Sequence, residues 1–249
     1  MELTRILLLF AVGVVSAFLN VMAGGGSAIA LPVLIFMGLD SALANGTNRV
    51  AILIQNIFAV TSFRRQDVHS FRQSTRLTLW ALPGAIAGAV LGVTVSDELF
   101  QRILGAVMIA TVITILAPQK RAAEMNEQTR QRRERWIYPI MVGIGFYGGF
   151  IQVSVGFLFM AALYHVLRMD LVMVNMHKVT IVMIYMVPAL GVYAWTGNVA
   201  WLPGLILGAG SAVGGWWAAR VSVRGGEAGI RIVLGIAMLV MAVKLLDLF

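Results

Sequence analysis

Arg49 and Lys178 offer the most chemistry in this chain, because each is a cation set inside a stretch that is otherwise apolar. A cation at the middle of a membrane helix costs about 2.5–3.5 kcal/mol on the insertion scale, so each is expected to face a cavity or a partner. Polar neighbours accompany both: Asn45, Thr47 and Asn48 precede Arg49, and Asn175 and His177 precede Lys178. The nearest acids in sequence are Asp40 and Asp170, at the ends of the stretches. Upstream of each cation an apolar run is broken by small and polar residues. Asn20, Gly24, Gly25, Gly26 and Ser27 break the first, and Gln152, Ser154 and Gly156 break the second. Two cations, two new helix N-termini and several amide and hydroxyl groups together suit binding of an oxyanion. Blander roles stand beside this one: snorkelling for Arg49 and Lys178, helix capping for Asn20, Asn45 and Asn175, and core packing for His177.

The elements that must position these groups follow from the runs themselves. Ile6–Leu39 and Ile137–Leu167 contain no Lys, Arg, Asp or Glu. As continuous helix each would be roughly 45–50 Å long against a hydrocarbon core of about 30 Å, too long for one crossing and too short for two. Consecutive glycines unwind a helix, and unwound backbone is tolerated at membrane depth only beside protein or a polar cavity. A broken segment in each half of a chain is a transporter's pattern.

Composition agrees. The chain of 249 residues is 59% hydrophobic and 12% charged, with a mean hydropathy of +0.87; a soluble domain carries about twice that charged fraction. There is no cysteine, hence no disulfide, thiolate metal site or cysteine nucleophile. No His-Glu-x-x-His, Gly-x-Ser-x-Gly or Walker-type loop is present, so the expectation is no enzyme, no metal and no cofactor. The net charge of +8 sits mostly in the connections between apolar runs, which is the positive-inside pattern of a multi-pass protein and no sign of nucleic acid. Arg5 followed by Ile6–Val15 resembles a signal peptide, but the run continues to Leu39 and the segment is expected to stay uncleaved.

The remaining spans are expected at Ala42–Phe63, Leu77–Val95, Ile103–Pro118, Leu171–Trp195, Val199–Ala219 and Ala228–Leu246. They divide the chain into a first membrane repeat, 1–118, a basic cytoplasmic linker, 119–136, and a second repeat, 137–249. Features of the halves align: Val12-Gly13 with Val142-Gly143, Gly26 with Gly156, Asp40 with Asp170, Asn45 with Asn175 and Gly105 with Gly235. The basic loops Arg64–Arg76 and Arg220–Arg231 occupy non-equivalent positions in the two halves, so the repeats are expected to be inverted. The fold expected is therefore all-α and polytopic, each repeat holding a half-helix pair and three transmembrane helices. Eight simple crossings with parallel repeats are the competing arrangement. Gly84, Gly88 and Gly92, like Gly204 and Gly208, have the spacing of close helix packing.

Gly24-Gly25-Gly26-Ser27, Leu31-Pro32-Val33-Leu34, Gly38 and Ala44-Asn45-Gly46-Thr47-Asn48-Arg49 resemble the TauE/SafE family of membrane anion permeases. Gly145-Phe146-Tyr147-Gly148-Gly149-Phe150 and the polar cluster ending at Lys178 extend the resemblance over nearly the whole chain. Arg49 replaces a lysine of the family pattern, Lys178 matches its second lysine, and Gln152-Val153-Ser154 stands where the family often has small residues. The resemblance implies a multi-pass protein of the cytoplasmic (inner) membrane that moves sulfite, sulfoacetate or a similar sulfur oxyanion. Its partners would be that anion and the lipid bilayer. An anion channel and a non-transporting membrane assembly partner remain as other readings.

Overall fold

The computed structural model describes residues 2–116 and 134–245, and all their regular structure is helical. Residues 119–133 of the expected linker lie outside the described residues. In chain order the helices are α1 (Leu3–Met22), α2 (Ser27–Phe36), α3 (Ser41–Arg64), α4 (Phe71–Thr94) and α5 (Asp97–Leu116). Then follow α6 (Ile137–Phe150), α7 (Val155–His165), α8 (Leu171–Trp195) and α9 (Trp201–Leu245), the last interrupted at Gly226, where φ is 55° and ψ −157°. By length and composition α1, α4 and α8 can cross a membrane.

Local sequence explains most boundaries. After α2, Gly38 adopts φ 94° and Leu39 donates its N–H to Leu34 O, the six-to-one bond that closes a helix on a left-handed glycine. Gly197 and the bond from Asn198 N–H to Tyr193 O do the same after α8. The Asp170 carboxylate starts α8 by accepting the N–H groups of Val172 and Met173 at 3.0 and 2.9 Å. Three boundaries differ from the sequence expectation, one of them the start of α5, at Asp97 and not Ile103. Helix α4 begins at Phe71, six residues earlier, and Arg220–Arg224 is helical where a loop was expected. Neither Phe71–Arg76 nor Arg220–Arg224 contains a glycine or proline; the turn before the first lies at Arg65–Asp67, where Asp67 takes φ 57°, and α9 bends at the Gly-Gly pair 225–226.

Within the bundle α1 lies along α9, α6 along α4, α3 along α9 and α8 along α4. Small residues permit the first two pairings. A Cβ at Gly13, Gly210 or Gly214 would overlap carbonyl oxygens of Leu207, Phe10 or Val14 across the α1–α9 seam. Gly84, Gly88, Gly145 and Gly149 serve the α4–α6 seam in the same way. Where lipid is as apolar as leucine, such close backbone contact is the means by which helices associate. Trp80, Leu79 and Val90 on α4 stay exposed, a surface suited to acyl chains.

Candidate functional site

Helix α1 ends with Ala23 N–H donating to Leu19 O at 2.7 Å, and Gly24 then turns the chain at φ 92°. Gly26 abuts Ser16 O and the Asn20 side chain so closely that a Cβ would overlap both, so α2 leaves alongside the helix that delivered it. The second break is built from residues that resist its conformation. Gln152 and Ser154 hold φ of 62° and 60°, a left-handed state costing an L-residue about 1–2 kcal/mol. Two tyrosines hold it: Tyr147 donates its hydroxyl to Val153 O at 2.5 Å, and Tyr185 donates to Gln152 Oε1 at 2.9 Å. The breaks touch each other. A Cβ on Gly24 would overlap the main chain of Gly156, and one on Gly156 would overlap Gly24.

Both cations are bound to the carbonyl ends of the broken helices, each in the other half of the chain. Lys178 Nζ donates to Val21 O at 2.7 Å, Asn20 O at 3.1 Å and Asn175 Oδ1 at 2.8 Å. Its three N–H donors thus meet three oxygens, two of them at the C-terminal end of α1. The Arg49 guanidinium donates to Gly148 O at 3.2 Å, to Gly149 O and to Phe150 O at 3.3 Å, all at the end of α6. Terminal carbonyls have no partner within their helix and carry the negative end of its dipole, so a buried cation is well placed there. Arg49 also lies over the Tyr193 ring, 4.4 Å from its centroid, and Asn45 Nδ2 bonds Phe150 O and the Tyr193 hydroxyl at 2.8 and 2.7 Å.

A small cavity opens between the breaks, with space for about one water molecule. Asn20, Gln152, Gly156 and Lys178 line it together with Gln55, Asn56 and a valine wall of Val155, Val179 and Val182. The structure thus gathers four of the sequence-derived residues at one point, and Gly24 touches one of them. Arg49 does not line this cavity, although both cations are fully buried. Thr47 Oγ1 accepts the N–H of Ala200, just ahead of α9, at 2.9 Å, and His177 Nδ1 sits 2.8 Å from Ser74 Oγ of α4. Asn175 bonds Lys178, while Gly25, Ser27 and Asn48 are buried beside the breaks or on α3. Ser154 Oγ, Asn48 Nδ2, Arg49 Nε and His177 Nε2 are buried with no hydrogen-bond partner among the described residues.

Gln55 and Asn56 escaped the sequence reading. Both are buried on α3; Asn20 Nδ2 donates to Gln55 Oε1 at 3.3 Å, and Asn56 Nδ2 donates to Ile52 O at 2.8 Å. The signal was present: adjacent Gln and Asn inside the apolar run Val50–Val60 carry the same cost as the polar residues that were noticed.

Comparison with known proteins decides the family. The family model described as Sulfite exporter TauE/SafE matches residues 9–245. The chain belongs to this family. Among TauE/SafE relatives, a "Probable membrane transporter protein" of Haemophilus influenzae is 25% identical over 240 residues, covering 96% of this chain and 93% of its own. "Probable membrane transporter protein ORF9" of a Sinorhizobium species is 25% identical over 239 residues, with 96% and 91% covered. "Probable membrane transporter protein YfcA" of Escherichia coli K12 is 26% identical over 241 residues, with 96% and 88% covered. No solved structure matches the chain significantly. TauE/SafE membership gives the broken helices and the buried cations a membrane setting.

Proposed function

We propose that this TauE/SafE protein is a multi-pass transporter of the cytoplasmic membrane that binds a small sulfur oxyanion, such as sulfite or sulfoacetate, where its two helix breaks meet. The observation that carries the reading is the cavity lined by Lys178 together with the amide-bearing residues Asn20, Gln55, Asn56 and Gln152. One cation supplies charge, the amides supply directional donors, and Gly24 and Gly156 let main chain approach the ligand. In this reading an entering oxyanion competes with Asn20 O and Val21 O for Lys178, so binding loosens the end of α1. Arg49, Asn45, Thr47 and His177 form the frame, and Arg49 keeps the end of α6 fixed.

Inverted repeats follow as part of the proposal, supported by paired contacts across the halves. Ser41 N–H donates to Asp97 Oδ1 at 2.6 Å at the start of α3, and Leu171 N–H donates to Glu227 Oε1 at 3.1 Å at the start of α8. Arg49 binds the end of α6 and Lys178 the end of α1. Arg65 and Arg220 both lie against Trp216, which favours one face for the two basic segments. That face is assigned to the cytoplasm, with the described chain beginning and ending on the other side. The division at the linker and the half-helix pairs belong to the same reading.

Reconstitution into liposomes tests it. Radiolabelled sulfite should enter saturably and show counterflow when the vesicles are preloaded with unlabelled sulfite. Linear, non-saturating flux would mark a channel, and no flux of sulfite, thiosulfate, sulfoacetate or sulfate would mark a non-transporting membrane partner.

A further inference from the structure

At the basic end of the bundle two arginines from distant parts of the chain converge on one indole. Arg65, just after α3, places its Cζ 5.0 Å from the Trp216 ring centroid, and Arg220 of α9 places its own at 5.4 Å. Ser62 Oγ, donating to Trp216 O at 3.0 Å, fixes α3 against α9 there. Both arginines are exposed, and among the described residues neither has a carboxylate within ion-pair distance. Positive-inside bias accounts for basic residues at this end. It does not account for two like charges brought to a shared aromatic anchor, where each raises the cost of the other. A group with several anionic oxygens that reaches both removes that cost, and guanidinium geometry suits phosphate.

The surface beside the clamp identifies the phosphate's source. Val213, Trp217, Arg220 and Arg224 fall at i, i+4, i+7 and i+11 of α9, so they share one face. Val213 and Trp217 are 53% and 56% exposed, and the two arginines are exposed above them. The stripe runs from apolar to basic along the helix, as a lipid runs from acyl chain to headgroup. We propose that Arg65, Trp216 and Arg220 form a binding site for the phosphate of an anionic phospholipid, whose acyl chain lies on Val213 and Trp217. The site is separate from the Lys178 cavity and does not depend on which anion is transported.

The whole chain, purified in neutral detergent, is titrated with dioleoylphosphatidylglycerol, with dioleoylphosphatidylcholine or with inorganic phosphate while the melting temperature is followed. Phosphatidylglycerol should raise it saturably, and the other two should not. A surface arginine contributes about 1 kcal/mol to binding anionic lipid, so R65Q and R220Q should each weaken the apparent affinity about fivefold. R72Q removes an exposed charge that does not lie over Trp216 and should leave the affinity unchanged. Native mass spectrometry gives an independent reading: wild type should retain a phosphatidylglycerol that R65Q/R220Q loses. Equal affinity in R65Q, R220Q and wild type, equal lipid retention in the double variant, or the full shift with phosphatidylcholine or phosphate alone overturns the site.

Discussion

Gly24 and Gly156 stand main chain against main chain, so that a Cβ on either would occupy backbone of the other. Gly24 closes the first helix, and Gly156 lies in the first turn of α7, just past the second break. The two interruptions are therefore one structural object. The polar cavity lies where they join, with Gly156 in its lining.

Substitution at this contact should disturb binding together with folding. G156A is the cleaner variant, because Gly156 is helical, whereas Gly24 at φ 92° would also strain any L-residue. G156A is expected to lower the melting temperature and to weaken sulfite binding measured on the same preparation. A lower melting temperature with unchanged affinity would reduce the glycine pair to helix packing.

The two buried cations should fail differently. K178M removes a charge-assisted donor from the cavity and should weaken anion affinity roughly ten- to a hundredfold, from about 1.5–3 kcal/mol; it also leaves Asn20 O and Val21 O without their donor and should lower the melting temperature as well. R49M leaves the carbonyls of Gly148, Gly149 and Phe150 without their donor, each at about 1–3 kcal/mol. It should chiefly lower the melting temperature, R49K should lower it less, and the folded remainder should bind normally. Thermal unfolding and equilibrium binding of the three variants check this, and a selective affinity loss in R49M would return Arg49 to the ligand site.

Topology can be read by cysteine labelling, since the chain has no native cysteine. Ser222 is buried against Asn175 and would report poorly. Thr196, in the turn between α8 and α9, and Gly225, at the kink within α9, are both exposed and lie before and after the first part of α9. An impermeant thiol reagent applied to intact cells should label T196C and spare G225C. Labelling of G225C from outside would favour the eight-crossing arrangement.

Asp97 and Glu227 each accept the first N–H of a helix in their own half. D97A and E227A should each destabilise the protein by about 0.5–2 kcal/mol, as loss of a helix cap does. Denaturation of both variants would show comparable losses if the positions are equivalent, and a loss in only one would weaken the case for a repeat.

Composition and run length alone determined that this is a helical protein of the membrane class, because the number of apolar residues and the scarcity of charge leave no soluble alternative. They also marked interruptions at Gly24–Gly26 and Gln152–Gly156 and the two interior cations, since a glycine triplet, polar residues in an apolar run and a lone Arg or Lys each violate the local pattern. What the cations touch was not legible. Arg49 and Lys178 bind carbonyls 99–101 and 157–158 residues away, and a carbonyl carries no side-chain signature in sequence. Gln152 and Ser154 likewise look unfit for a left-handed turn until Tyr147 and Tyr185 are seen to hold it. Only the tertiary structure set Lys178 beside Gln55 and Asn56 and kept Arg49 apart. Which of two similar cations lines a cavity depends on how helices from opposite halves cross, and no local residue pattern encodes that crossing.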